Sequence, residues 1–211
     1  MVTAVVGAGG KTTLIHALAA RYRAQGRSVF VTTSTHMYAE ADTLTTGDAD
    51  LLLTQLRKKG YVMAGLPEPA AVGKIRALPP QVYAAVCACA DETLVEADGS
   101  RQKPVKFPAP WEPVIPANTQ QVVVVCNLCA LGKPLRQVAH YPERVAQALG
   151  ISQDTPLQAR HIQALLRKGY LEPLKKERPD VMVRIHANHD GTPARQALAA
   201  LLESDRDVGE F

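Results

Sequence analysis

The sequence predicts an α/β domain of three layers, in which helices cover both faces of a mostly parallel sheet. Short runs of β-branched residues alternate with segments of helical periodicity, an order typical of parallel βαβ units. One run, Val122–Val125, is apolar on both faces, as expected of a central parallel strand between helix layers. The 211 residues suit one sizeable core, so we predict a single domain over residues 1–211.

Local signals place the elements in order. Strands are predicted where β-branched runs lie between turn signals, at Val2–Val6, Ser28–Thr33, Glu92–Ala97, Gln121–Cys126 and Asp180–Ile185. Helices are predicted where apolar residues recur at helical spacing, at Lys11–Ala24, Asp48–Lys59, Pro79–Ala90, Pro142–Leu149, Pro156–Lys168 and Pro193–Leu202. Thr155 and Thr192 would each cap a helix that begins at the following proline. The proline-rich stretch 98–116 is predicted to be irregular, and so long a loop is usually functional or disordered.

Composition and charge restrict the class of function. The formal net charge of +4 permits an anionic small ligand but lacks the basic excess of a nucleic-acid-binding domain. No apolar run is long enough to span a membrane, and no signal-peptide pattern opens the sequence. We therefore expect a cytoplasmic protein that binds neither nucleic acid nor membrane.

The segment VVGAGGKTTLIHAL, residues 5–18, places a glycine-rich turn, a lysine and a hydroxyl between the first strand and the first helix. This is the context that a phosphate-binding P-loop needs, because glycines let backbone N–H groups face phosphate oxygens and the helix N-terminus adds positive charge. Lys11 would bridge the outer phosphates, and Thr12 would give its hydroxyl to Mg²⁺. The standard pattern has glycine where this chain has Val5, but a plain strand-to-helix turn needs no lysine-threonine pair. We therefore predict a P-loop NTPase-like domain that binds ATP or GTP with Mg²⁺ through Gly7, Ala8, Gly9, Gly10, Lys11, Thr12 and Thr13.

Two carboxylates end the third predicted strand, in the segment TLVEADGS. Glu96 and Asp98 lie two residues apart and so point to the same face. An acid at the carboxyl end of such a strand lies where ligands bind in open α/β sheets, and Asp98 would hold Mg²⁺ directly or through water. Glu96 would orient water or contact the substrate. We predict Lys11, Asp98 and Glu96 as catalytic residues and Thr12 and Asp98 as metal ligands; an ordinary turn aspartate is the alternative.

Four blocks of this sequence, VGAGGKTTL, VTTSTHM, LVEADGSRQKPVKFPAPWEPVIP and LGKPL, resemble the YqeC family, accessory proteins of selenium-dependent molybdenum hydroxylases. From Pro142 onward the resemblance is mainly positional. It implies a P-loop NTPase related to metallochaperone and cofactor-insertion NTPases, with a molybdenum–selenium hydroxylase or its cofactor as partner. Two features depart from the related NTPases: Val6 replaces a signature lysine, and HANHD, residues 186–190, replaces the Asn-Lys-x-Asp motif that reads guanine. The choice between adenine and guanine stays open.

Two polar segments are predicted to contact the substrate. The first follows the second strand and is rich in hydroxyls; its candidates are Thr33, Thr35 and His36. The second follows Asp98 among rigid prolines and would clamp an anionic substrate through Arg101, Lys103 and Lys106. A polar capping loop and a solvated face are the respective alternatives.

The four cysteines form two close pairs, Cys87/Cys89 and Cys126/Cys129. A reducing cytoplasm makes structural disulfides improbable, and the C-x-x-C pair lacks two further ligands for zinc. We interpret these cysteines as buried or incidental.

Three functions are open from the residues. They are an NTPase that couples hydrolysis to maturation of a molybdenum–selenium enzyme, a small-molecule kinase, and a nucleotide-regulated carrier without significant turnover. The resemblance favours the first.

Overall fold

A computed structural model describes residues 1–204. Its strands are β1 (Val2–Gly7), β2 (Val29–Thr33), β3 (His36–Tyr38), β4 (Tyr61–Met63), β5 (Leu66–Pro67), β6 (Lys74–Arg76), β7 (Glu92–Glu96), β8 (Val105–Lys106), β9 (Gln121–Asn127), β10 (Ala139–His140) and β11 (Met182–Asn188). Its α-helices are α1 (Lys11–Ala24), α2 (Ala49–Lys59), α3 (Pro80–Cys89), α4 (Leu135–Val138), α5 (Pro142–Leu149), α6 (Ala159–Leu166), α7 (Glu172–Glu177) and α8 (Pro193–Glu203). A 3₁₀ turn covers Leu128–Ala130, and a π-helical turn, Arg167–Leu171, joins α6 to α7.

Six strands form one parallel sheet in the order β11-β9-β1-β7-β2-β4, flanked by helices. The strand that leads into the glycine-rich loop, β1, is central and lies next to β7, the strand that carries Glu96. Every residue of Val122–Val125 in β9 is buried, as its two-sided apolar pattern requires. The predicted α/β class, with three layers around a parallel sheet, is confirmed.

Two small sheets were not predicted. The strands β3, β6 and β5 pair antiparallel, and β8 pairs in parallel with β10. The strand β4, at one edge of the large sheet, was also missed. Each of these strands has only two or three residues, which is too short to show a two-residue alternation.

The chain divides into two compact units. The first comprises Met1–Val5, Thr12–Gly99 and Val114–Gln120, and the second comprises Val6–Lys11, Ser100–Pro113 and the residues from Gln121 onward. In the first unit, Phe30 of β2 packs in an apolar cluster with Leu52 and Leu56 of α2 and Val86 of α3. In the second, Ile162, Leu165 and Leu166 of α6 are buried. The single domain over residues 1–211 stays a prediction.

The predicted boundaries of two elements are wrong. The strand β11 begins at Met182 and runs to Asn188, later than predicted at both ends, and α6 begins at Ala159 instead of Pro156. Pro156 forms an isolated bridge with Pro134, and the carbonyl of Thr155 accepts from the Leu135 N–H at 3.1 Å, so this segment is held extended by a distant part of the chain.

The helix α8 does begin at Pro193, but the hydroxyl of Thr192 does not cap it. That hydroxyl donates to the Asp190 carboxylate at 3.0 Å instead.

The proline-rich stretch 98–116 is irregular except for β8, whose Val105 and Lys106 pair with Ala139 and His140. The expectation that it holds no regular structure was therefore wrong at these two residues. Among residues 1–204, no helix is long and apolar enough to cross a membrane.

Candidate functional site

The loop between β1 and α1 turns on three glycines. Gly7, Gly9 and Gly10 have φ values of +89°, +80° and +123°, a region that residues with side chains rarely adopt. A Cβ on Gly7 would lie 2.2 Å from the Val125 carbonyl oxygen, and one on Gly9 would lie 2.5 Å from the Asn127 Cβ. Glycine is therefore required both by the backbone conformation and by the space available.

Neighbouring strand ends hold this loop. The Ala8 N–H donates to the Val125 carbonyl at 2.9 Å, and the Asn188 side-chain amide donates to the Gly9 carbonyl at 2.8 Å. The backbone amide of Ala8 is thus used within the fold. The conformation of the loop is defined by β9 and β11 as well as by its own glycines.

The ammonium group of Lys11 folds back over the start of the loop. Its Nζ donates to the Gly7 carbonyl at 3.0 Å and to the Ser100 Oγ at 3.2 Å, and the side chain is buried. The Lys11 cation therefore lies beside the glycine turn that precedes a 14-residue helix. Sequence reasoning missed Ser100, and its only signal was its place directly after the Asp-Gly pair.

Thr12, the next residue, contacts an acid from β7. Its hydroxyl donates to the Glu96 Oε2 at 3.1 Å. Glu96 is in register with Val5 of β1 on one side and with Thr33 of β2 on the other. Strand pairing thus brings the buried Glu96 carboxylate to an exposed hydroxyl in the first turn of α1, although the two residues are 84 positions apart.

Asp98 lies just beyond the end of β7 and is completely buried. The carboxylate within hydrogen-bond distance of the Thr12 hydroxyl is that of Glu96, one of the two acids that the sequence singled out. The prediction that Asp98 binds the metal stays a prediction. Thr13, the last of the predicted loop residues, is exposed.

The first predicted substrate segment lies partly beside Glu96. The Thr33 hydroxyl donates to the Glu96 carbonyl at 2.7 Å and accepts from the Thr35 N–H at 3.0 Å, so it holds the two strand ends together. His36 is exposed, and its Nε2 lies 2.8 Å from the Glu68 carboxylate. The structure therefore brings Thr33 to the Glu96 backbone and Thr35 to Thr33, whereas His36 pairs with another acid. Their contact with a substrate stays a prediction.

The second segment contains three cations in different settings. Lys106 is buried, and its Nζ lies 2.8 Å from the Glu112 carboxylate, which also accepts from the Ala109 N–H at 3.0 Å. Lys103 donates to the Gln137 carbonyl at 3.0 Å, and Arg101 is exposed. Sequence reasoning assigned no role to Glu112, which stabilises this loop. The anion clamp stays a prediction.

Positive charge surrounds His140, which β10 places opposite Lys106 of β8. Burial lowers the pKa of His140 below its ordinary value of 6.5, and the charges of Lys106, Arg101 and Lys11 lower it further, against the opposing effect of Glu112. The imidazole is therefore neutral at pH 7. The same three cations make this part of the second unit favourable for an anion.

The cysteines form no metal site in residues 1–204. Cys126 is buried in β9, and burial raises the pKa of its thiol to about 12. All four cysteines are free thiols, and no group of three His, Cys, Asp or Glu residues in the described part of the chain has metal-binding geometry. The thiol of Cys126 is therefore a protonated core group.

The parallel sheet and the glycine turn followed by Lys11 and Thr12 define a class, an α/β protein with a P-loop-like strand–loop–helix unit. Comparison with known proteins narrows the class, because the YqeC protein family matches residues 3–143. A protein of Escherichia coli (strain K12), named Uncharacterized protein YqeC, is 34% identical over 173 residues, which cover 79% of this chain and 67% of that protein. The chain belongs to the YqeC family. No solved structure matches it.

Proposed function

We propose that this protein is a Mg²⁺-dependent nucleoside triphosphatase that assists the maturation of a selenium-dependent molybdenum hydroxylase or its cofactor. The observation that carries the proposal is the position of Lys11, whose buried ammonium group lies over a turn of three positive-φ glycines at the start of α1. Backbone amides, a helix N-terminus and a lysine together match the charge of a triphosphate.

The residues fit such a ligand. The space beside Gly7, Gly9 and Gly10 is too close for any Cβ, and Lys11 presents a cation. For Mg²⁺, the Thr12 hydroxyl and the Glu96 carboxylate are a 3.1 Å pair of hard oxygen donors, the ligand type that this ion prefers.

The residues of this site would have separate roles in binding and hydrolysis. The loop amides and Lys11 would bind and orient the outer phosphates, and the cations near His140 would add positive potential. When bound, Mg²⁺ would neutralise charge on the transferred phosphoryl group. Thr12 and Glu96 would hold that ion, with Asp98 as the further acid at the same strand end. Phosphoryl transfer needs little else from a protein than positioning and charge stabilisation.

The maturation role rests on the family resemblance. It is testable by adding this protein with nucleotide to a purified molybdenum hydroxylase that lacks its complete cofactor. We expect hydroxylase activity to rise with the native protein and to stay low with Lys11→Ala. Equal hydroxylase activity with the two proteins would contradict the role.

Nucleotide binding is tested by calorimetric titration of ATP and GTP with Mg²⁺. We expect binding to the native protein and affinity about tenfold to hundredfold lower for Lys11→Ala, since a charge-assisted contact is lost. Lys58→Ala, at an exposed position of α2, is the matched control and should bind like the native protein. No binding by the native protein, or equal binding by the native protein and Lys11→Ala, would refute the proposal.

The products identify the type of reaction. Free phosphate released without an acceptor supports the triphosphatase. ADP release that depends on a small-molecule acceptor would assign a kinase instead, and tight binding with negligible turnover would assign a nucleotide-regulated carrier.

A further inference from the structure

A side chain from the end of β11 contacts the backbone of the phosphate loop, the name used here for the glycine-rich turn of residues 7–10 between β1 and α1. The Asn188 Nδ2 donates to the Gly9 carbonyl at 2.8 Å, although the two residues are 179 positions apart. The side chain also closes the space beside Gly10, where a Cβ would lie 2.2 Å from the Asn188 Nδ2. Asn188 therefore contacts the part of the loop where phosphate-binding amides are expected.

This contact orients a peptide plane. In a trans peptide the carbonyl and the following N–H point in opposite directions. The bond from Asn188 to the Gly9 carbonyl consequently directs the Gly10 N–H away from Asn188. Gly10 has no Cβ and a φ of +123°, so its own conformation does little to restrain this plane.

The orientation of the Asn188 amide is itself held. His186 lies two residues earlier on the same face of β11, and its Nε2 is 3.2 Å from the Asn188 Oδ1. Because that oxygen only accepts, the Nε2 of His186 carries the hydrogen. A reversed amide would set its oxygen against the Gly9 carbonyl and its NH₂ group against this N–H donor.

The last residue of α8 completes the chain of contacts. The Glu203 Oε1 lies 3.6 Å from the His186 Nδ1 and accepts from the Ala187 N–H at 2.9 Å. Glu203 is thus tied to β11 and places a negative charge beside the imidazole. The groups are arranged in the order Glu203, His186, Asn188 and Gly9.

We propose that Asn188 is a positioning residue that orients the phosphate loop, and that His186 holds its amide in the productive direction. The consequence for nucleotide affinity rests on the proposed function, whereas the contact with the loop does not. In this arrangement the Asn188 amide nitrogen is used for the loop and its oxygen for His186. Asn188 therefore acts on the loop backbone rather than on a base.

The first test measures amide hydrogen exchange of the loop peptide in the full chain without nucleotide. Asn188→Asp replaces the donor with a carboxylate that faces the Gly9 carbonyl, and Asn188→Ala removes the contact without adding charge. We expect exchange in the loop to become about tenfold faster or more in both variants, as the loss of one such hydrogen bond allows. Unchanged exchange in both would overturn the proposal.

The role of His186 is tested with a conservative pair. His186→Leu removes the donor to the Asn188 Oδ1 and should also speed loop exchange. His186→Gln supplies an amide N–H in its place and should restore slow exchange. His189→Leu, an exposed histidine three residues later, is the matched control and should behave like the native protein. Native-like exchange in His186→Leu would overturn the role of His186.

The second test measures the affinity for Mg²⁺–ATP and Mg²⁺–GTP by calorimetry. We expect Asn188→Ala and His186→Leu to bind about tenfold more weakly, with His186→Gln and His189→Leu near the native value. Native affinity in Asn188→Ala would overturn the positioning role. If the native protein binds no nucleotide while loop exchange responds as expected, the proposed function fails and the positioning contact is supported.

Discussion

The hydroxyl of Thr12 donates a hydrogen bond to the carboxylate of Glu96 across 3.1 Å. The two residues meet because β7 pairs with β1 in a register that sets Glu96 opposite Val5. A hydroxyl and a carboxylate are oxygen ligands of the kind that a hard cation prefers, so we expect this pair to belong to the proposed Mg²⁺ site. The contact makes Glu96 a candidate to act with Thr12, beside Asp98, which strand position had favoured and which stays a prediction.

Replacing Glu96 by glutamine tests this assignment. The variant keeps the shape of the side chain but removes a charge beside Thr12, so we expect Mg²⁺-dependent nucleotide hydrolysis to fall about 100-fold. Nucleotide binding through Lys11 should persist. Asp98→Asn is measured in parallel as the matched acid. A normal rate in Glu96→Gln together with a large loss in Asp98→Asn would show that Asp98 holds the leading role.

The crowding at Gly7 predicts a large loss of stability on substitution. In Gly7→Ala the new Cβ would meet the Val125 carbonyl oxygen at 2.2 Å, and φ is +89°. We expect the free energy of unfolding to fall by about 2–4 kcal/mol from overpacking and backbone strain together. Gly26→Ala is the control, because Gly26 has a φ of +76° but no neighbour within 4 Å. In Gly26→Ala we expect the free energy of unfolding to fall by about 1 kcal/mol, which measures the backbone strain alone. Urea unfolding that gives equal losses would contradict the steric argument.

The buried pair of Lys106 and Glu112 is expected to be structural. Glu112→Gln leaves the Lys106 ammonium buried without this carboxylate, and we expect a loss of about 3 kcal/mol in unfolding free energy. Adding Lys106→Met should recover much of that loss, because the buried positive charge is then removed as well. Asp154→Asn breaks an exposed pair with Arg136, both members more than half exposed, and should cost less than about 1 kcal/mol. Similar losses for the buried and the exposed pair would argue against a structural role.

The lowered pKa of His140 predicts a specific dependence of stability on pH. Below its ordinary pKa of 6.5 the unfolded chain takes up a proton at this residue, while the folded protein resists it because of burial and the charges of Lys106, Arg101 and Lys11. Stability should therefore fall as the pH drops below 6.5. His140→Gln should lose less stability than the native protein between pH 7.5 and 5, measured by urea unfolding. His161 also has a lowered pKa, but it is present in both proteins and cancels in the comparison. Parallel pH profiles would exclude a contribution from His140.

Much of the fold could be predicted because its main signals are local. The helix Lys11–Ala24 has the predicted limits, since a glycine turn precedes it and helical spacing runs through it. The strands β1, β2, β7 and β9 agree with their predicted positions within one or two residues, because each is a run of β-branched or apolar residues. The helix start predicted at Pro156 was wrong for the opposite reason, because a bridge to the distant Pro134 overrides the local helix-start signal.

The candidate site, too, was predictable from the sequence only where its residues are neighbours in the chain. Gly7, Gly9, Gly10, Lys11 and Thr12 are neighbours in the chain, so their pattern alone identified the loop. The contacts of Glu96 with Thr12, Ser100 with Lys11 and Asn188 with Gly9 join residues 84, 89 and 179 positions apart. Composition likewise could not show that Lys106 is buried against Glu112. Local sequence sets backbone conformation and hydrophobic period, whereas strand order and register decide which distant side chains meet, and these depend on packing of the whole sheet.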